Sequence, residues 1–191
     1  LRRNAGGSFA REPNLSQTGA VRYLTIVRHA KATPAAPGQS DYERTLNNRG
    51  IRQCAQLREW ALEQSSLARF GPTTALVSSA ARTKETYRRA FDETPFVSAC
   101  HYSELIYNGK RDVSAEDILI DLAAIDPVTT SLLVVAHNPS VYELLLSLAH
   151  KAPKHVARDG YPLGGAFVLA LDENRQVGLA KYELVASYVP D

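Results

Sequence analysis

Three short apolar runs constrain this chain more than anything else in it. They are Tyr23-Leu24-Thr25-Ile26-Val27, Thr73-Thr74-Ala75-Leu76-Val77-Ser78 and Ser131-Leu132-Leu133-Val134-Val135-Ala136. Each is bounded within a few residues and lacks the polar alternation of a half-exposed strand. Each therefore reads as a strand buried on both faces, as in the middle of an α/β sheet. Between the runs the period changes. Over 48–64, Ile51, Cys54, Leu57 and Ala61 recur at three- and four-residue steps, the stripe of an amphipathic helix, and Trp60 lies off it, placed to cover a neighbouring element.

Further helices are expected over about 80–92 with Ser79 as N-cap, from Ser114 (with Asp117 at N3) to about Ile125, and from Asn138-Pro139 to about His150. Phe96 to His101 reads as a strand, and 165–172 and 177–187 as a hairpin turning at Asp172-Glu173-Asn174. Residues 30–47, with Pro34, Pro37 and Gly38, and 151–162 read as loops. Residues 1–20 carry few large apolar groups and read as a flexible N-terminal arm. Strands alternating with helices over 21–191 predict a three-layer α/β/α sandwich with a mostly parallel central sheet.

Composition removes several function classes. The net charge of +2 is too small to argue for nucleic acid or an acidic membrane surface, so any functional positive charge must be local. No apolar run approaches the roughly 20 residues that span a bilayer, and the start of the chain holds no apolar signal-peptide core. Cys54 and Cys100 match neither a disulfide framework nor a zinc motif; two buried thiols in a reducing cytoplasm is the plain reading. No P-loop motif is present, and the histidines lack metal-ligand spacing, so neither a metal nor a cofactor is expected.

What remains is chemistry at strand ends. Arg28-His29 follows the first run, Ser78-Ser79-Ala80-Ala81-Arg82-Thr83 the second, and Ala136-His137-Asn138-Pro139 the third. In open α/β sheets ligands gather outside the carboxyl ends of the strands, so parallel strands would bring both histidines and both arginines to one edge. Two of these segments also open helices, whose N-termini favour anions. Arginine forks match the geometry of a phosphoryl group, and a neutral His29 can attack phosphorus to form a phosphohistidine that water then hydrolyses. Taken singly, His29 could be a satisfied polar residue and Arg82 a surface arginine; the ordered set is what argues for a site.

The sequence resembles the histidine phosphatase superfamily, phosphoglycerate mutase-like in fold, and within it the SixA-like phosphohistidine phosphatase branch, over about 22–187. The first motif, Arg-His-Gly, stands here as Arg28-His29-Ala30. Asp41-Tyr42-Glu43-Arg44-Thr45-Leu46 is similar to the branch's Asp-x-x-Arg-Pro-Leu, with Thr45 in place of Pro. Ser78-Ser79-x-x-Arg82-Thr83-x-Glu85-Thr86 matches the second arginine motif and Val135-Ala136-His137-Asn138-Pro139 the second histidine motif. The resemblance implies that His29 is the nucleophile, that Arg28, Arg44 and Arg82 bind phosphate, and that His137 binds the phosphoryl group and stabilises the transition state. Many superfamily members also use a carboxylate acid. Glu104 stands near where it could lie, although a structural or rim role fits it better, and Asp41 is a weaker candidate.

The implied activity is a metal-independent phosphatase working through phospho-His29, with a phosphorylated protein carrying phosphohistidine as the expected substrate. A phosphohistidine leaves as imidazole and needs less acid help than an alkoxide. The short chain also leaves little sequence for lids around a small substrate. The alternatives are a small-molecule phosphomonoesterase acting on a phosphoester, and a catalytically silent module that binds a phospho-ligand.

Overall fold

The structure, a computed structural model, describes residues 23–63, 72–109, 111–126, 129–151, 153–171 and 182–190. The N-terminal arm at 1–20, the hairpin turn at Asp172-Glu173-Asn174 and the start of the last expected strand lie outside the described residues.

The first apolar run forms β1 (Tyr23–Arg28), the second β2 (Thr73–Ser78) and the third β4 (Ser131–Ala136), with β3 (Val97–Ser103) between them in the chain. The final pair is β5 (Ala166–Leu171) and β6 (Tyr182–Tyr188). They make one six-stranded sheet in the order β3-β2-β4-β1-β5-β6. All neighbours pair parallel except at β5, which is antiparallel to both β1 and β6. The sheet is therefore mostly parallel, as expected. Every residue of β2 and β4 is buried, which accounts for their unbroken apolar character, whereas β3 and β6 lie at the edges, β3 exposing two residues in three and β6 every second one.

Alternate side chains feed two cores. Leu24, Ile26, Leu132 and Val134 pack with Ile118, Leu122, Leu144 and Leu145, so α3 (Ala115–Ala123) and α4 (Ser140–Leu148) cover one face. Val27, Val77, Leu133 and Val135 pack with Cys54, Leu57, Tyr87 and Phe91, so α1 (Asn48–Glu63) and α2 (Ala81–Ala90) cover the other. This is the three-layer sandwich. Ile26 and Val27 are both fully buried and point to opposite cores. Burying each stabilises the fold by roughly 1.5–3 kcal/mol. Trp60 stacks on Tyr188 of β6 with ring centroids 5.6 Å apart, the covering role its off-stripe position suggested.

Several local expectations need correction. Ser79 does not cap α2: Ala80 is the N-cap and makes no side-chain bond, while the Thr83 hydroxyl donates to the carbonyls of Ser78 and Ala80. Pro139 is the residue preceding α4, which starts at Ser140 and stops at Leu148. The loop at 151–162 contains a short helix, α5 (Lys154–Asp159), and the loop at 30–47 a 3-10 turn, Asp41–Glu43. Cys54 is fully buried, but Cys100, on the edge strand, is only partly so. The capping box at Ser114 and Asp117 is present as expected. No helix among the described residues is long and apolar enough to cross a membrane.

Candidate active site

Strand register builds the site. Arg28 pairs with Ala136 across β1 and β4, and Val77 with Val135 across β2 and β4. The residues that follow, His29, His137 and Ser78, therefore emerge at the same end of three adjacent parallel strands. The two imidazoles meet edge to face with centroids 5.1 Å apart. Arg82, in the first turn of α2, reaches in from above β2 and is only 5% exposed. The four residues expected to meet here do so.

The peptide around His29 is held on every side. Its N–H donates to Ala136 O (3.1 Å), and its carbonyl accepts from Gly164 N (3.2 Å). Ala30 N donates to Thr86 Oγ1 (3.0 Å) and Lys31 N to Gln53 Oε1 (2.9 Å). Ala30 is itself fully buried, so a small side chain fits where the family motif has Gly. The imidazole Nδ1 lies 2.8 Å from the Ala30 carbonyl. A carbonyl can only accept, so Nδ1 carries the proton and the lone pair is on Nε2. Arg82 Nε donates to that Nε2 at 3.3 Å, a long contact.

Electrostatics keep both rings neutral. Burial, reinforced by Arg82, Arg28 and Arg44, pushes His29 down to about 3 against the pull of the Ala30 carbonyl. Burial, then His29 and Arg82, pushes His137 to about 2, opposed by Asp41. His137 is 2% exposed, and its Nε2 lies 2.8 Å from Ser78 Oγ.

Arg44 stands at the mouth. Its Nε donates to Thr33 O (2.7 Å) and its Nη1 to Asp41 Oδ1 (2.6 Å). Asp41 in turn joins the two arginines: Arg82 Nη2 donates to Oδ2 (2.9 Å), Arg82 Nη1 to the main-chain oxygen (2.7 Å), and the Tyr107 hydroxyl to Oδ2 (3.0 Å). Burial would raise the Asp41 carboxyl, but Arg44 and Arg82 outweigh it and hold it at about 2. A carboxylate ionised throughout the neutral range has no proton to give, so Asp41 is an arginine anchor rather than an acid. Glu104 is exposed in the turn after β3. The residue of that turn that enters the site is Tyr107, whose ring lies 5.7 Å from His137 and 5.9 Å from the Arg82 guanidinium carbon.

Sequence reasoning missed Ser78, Asp41 and Tyr107 in these roles. Ser78 lay inside a recognised motif, so a signal existed for it. Tyr107 follows Ile106 in an apolar stretch and reads there as core. Among the described residues, five buried side-chain atoms lack a protein partner, and four of them sit on the segments that end β1, β2 and β4: Arg28 Nε, Ser79 Oγ, His137 Nδ1 and Asn138 Oδ1. Arg28 is otherwise anchored through Nη1 to Tyr161 O (2.6 Å). Also among the described residues, no group of three or more His, Cys, Asp or Glu is placed to hold a metal ion.

No protein-family model matches the chain. An uncharacterised protein of Mycobacterium leprae is 29% identical over 178 residues, 86% of this chain and 99% of that protein. The crystal structure of a candidate phosphohistidine phosphatase SixA from Agrobacterium tumefaciens superimposes with a TM-score of 0.70 at 27% identity, covering 89% of this chain and 99% of its own. The protein histidine phosphatase SixA in complex with tungstate shares the fold at 20% identity, TM-score 0.66, covering 87% and 96%. So does a mycobacterial glucosyl-3-phosphoglycerate phosphatase at 14% identity, TM-score 0.56, covering 88% and 100%. In fold and in the ordered motifs at this sheet edge, the chain resembles the phosphoglycerate mutase-like histidine phosphatases, and among them the SixA-like branch.

Proposed function

We propose that the chain is a histidine phosphatase that forms a phosphohistidine on His29 Nε2, and that its substrate is a phosphohistidine on another protein. The observation that carries this is the pair of buried nitrogens without a protein partner beside the nucleophile, Arg28 Nε and His137 Nδ1. In the tautomer in which the Ser78 hydroxyl donates to His137 Nε2, the His137 proton sits on Nδ1 and both orphan atoms are donors; this is the tautomer that a bound phosphoryl group selects. Leaving a buried donor unpaired costs roughly 1–3 kcal/mol each. A phosphoryl group supplies the acceptors and spreads its charge over several oxygens.

The steps follow from the tautomer. Nε2 of His29 attacks phosphorus in line. The bond from phosphorus to the leaving imidazole breaks, and that imidazole keeps the electron pair and takes a proton from solvent. Arg82 Nε moves its hydrogen bond from His29 Nε2 to a phosphoryl oxygen. The Ala30 carbonyl holds the Nδ1 proton and stabilises the cationic ring formed on phosphorylation. Water then attacks phosphorus, the P–Nε2 bond breaks, inorganic phosphate leaves with the excess proton passing to solvent, and His29 returns neutral. Arg28, Arg44, Arg82 and His137 act by positioning and charge stabilisation. No step needs a strong acid, in keeping with an ionised Asp41 and an exposed Glu104.

The rival reading is a small-molecule phosphomonoesterase, favoured by the glucosyl-3-phosphoglycerate phosphatase among the fold neighbours. The test is turnover of a phosphohistidine-bearing protein domain beside small phosphoesters. Turnover of the domain is expected to dominate. Fast hydrolysis of the esters with none of the domain would overturn the protein-substrate reading.

A further inference from the structure

A groove of about 770 Å³ runs away from the phosphate pocket. Its near end is one residue from the chemistry on two sides. Tyr42 follows Asp41 and packs edge-to-face on Tyr107 at 5.0 Å, and Ser79 follows Ser78, the partner of His137. Its far end is the outer face of α2, where Lys84 and Arg88 stand one turn apart.

The charges along this groove are unevenly committed. Glu85 is spent: Oε2 accepts from Leu46 N (2.8 Å) and Oε1 from Arg89 Nε (2.9 Å). Glu43 is turned to Ser40, accepting from its N–H (3.1 Å) and its hydroxyl (2.7 Å). Lys84 and Arg88 form no ion pair among the described residues. Lys84 Nζ instead sits 5.4 Å from the centroid of the Tyr102 ring. Tyr102 is 46% exposed, and Leu105, three residues on, is 59% exposed. Leu105 is tied to the groove through Ser103, whose hydroxyl accepts from Leu105 N and whose carbonyl accepts from Ser79 N. Arg88 hydrogen-bonds the same Tyr102 side chain, so the two cations share one exposed aromatic and have no carboxylate partner among the described residues. Cations without a carboxylate partner beside exposed aromatic and aliphatic groups have the composition of an interaction surface rather than of a solvated helix face.

We infer that this groove receives the acidic segment flanking the phosphohistidine of the protein substrate, with Lys84 and Arg88 meeting its carboxylates and Tyr102 and Leu105, on the exposed surface beside the groove, meeting its apolar side chains. The inference rests on the proposed protein-phosphohistidine activity. It adds to that activity a charge preference outside the phosphate pocket. A phosphohistidine seated at His29 must send its flanking chain out past Tyr42 and Ser79, where the groove starts. Complementary charge at such a rim acts on encounter and weakens with salt.

Two phosphohistidine peptides test it, one flanked by Glu and one by Lys, with free phosphohistidine as the small probe. The wild-type protein should turn over the Glu peptide with kcat/KM about 10-fold above the Lys peptide at low ionic strength, and the ratio should shrink as salt is added. The double variant Lys84→Glu/Arg88→Glu should reverse the preference and leave free phosphohistidine hydrolysis unchanged. Both positions are accessible on the helix surface and outside the catalytic set, so the unchanged small-probe rate also reports a folded protein. Equal turnover of the two peptides, or a preference that survives charge reversal, would overturn the docking assignment and leave the phosphatase reading intact. Hydrolysis of a small phosphoester with none of either peptide or of free phosphohistidine would instead remove the phosphohistidine reading, and the docking assignment with it.

Discussion

Acidification should destabilise this protein in a window set by its two site histidines. In the folded chain burial and nearby cations hold His29 at about 3 and His137 at about 2. Unfolded, each binds a proton near pH 6.5. Between about pH 6.5 and 3 the unfolded chain therefore holds protons that the native state refuses, and stability falls as pH falls. At pH 5 the unfolded imidazole is almost wholly protonated, which costs about 2 kcal/mol for His137. His29 is more open to water than His137, which is 2% exposed, and adds less. Asp41, held at about 2, contributes in the same sense but over a lower range: its stabilisation is fully present above the unfolded carboxyl value and is lost as pH falls below that toward 2, below the interval between pH 7 and pH 5. The net loss of about 2–4 kcal/mol is a large share of a typical 5–15 kcal/mol stability. At a slope of about 2 kcal/mol/M it moves a urea midpoint by about 1–2 M between pH 7 and pH 5. The assay is urea denaturation at both pH values on the wild type and on His29→Gln/His137→Gln. The variant should lose most of the pH dependence. An equal shift in both proteins would refute the account of two buried neutral imidazoles.

Other consequences are checked more simply. Ser78→Ala leaves His137 Nε2 buried without its partner and should lower kcat more than KM, with about 1–3 kcal/mol lost in stability; nitrogen chemical shifts of His137 should show a changed tautomer balance. Glu104→Gln should leave phosphohistidine turnover within about 2-fold, whereas a general acid removed from an ester hydrolase costs about 10²-fold or more. Gly50→Ala would drive a Cβ into the Lys31 carbonyl, two residues beyond His29. It should cost about 1–3 kcal/mol in a denaturation curve and weaken phosphate binding by shifting the Lys31 backbone.

Much of this arrangement is legible in the sequence, for identifiable reasons. Strands buried on both faces advertise themselves as unbroken apolar runs, so β1, β2 and β4 are visible, and their parallel pairing brings Arg28, His29, Arg82 and His137 to one edge. Side-chain bonds that depend on register are not visible. Ser78 meets His137 because Val77 lies opposite Val135, a pairing that no local pattern encodes. Asp41 sits between two arginines 3 and 41 residues further on, so its role as a shared anchor appears only once the 3-10 turn faces α2. Tyr107 enters through a loop conformation. α5 is a six-residue helix, too short for its period to stand out from a polar loop. Ser79 looks like a cap, but the following turn closes on the carbonyls of Ser78 and Ala80 through Thr83 instead.

The central claim is covalent, and one measurement meets it directly. The protein is mixed with a phosphohistidine substrate, quenched in alkali within the first turnovers, digested and analysed by mass spectrometry for the phosphorylated residue. The account predicts an alkali-stable, acid-labile phosphoryl group on His29, formed and lost at the rate of turnover and absent from His29→Ala. A phosphoryl group on another residue, or undiminished turnover by His29→Ala, would contradict it.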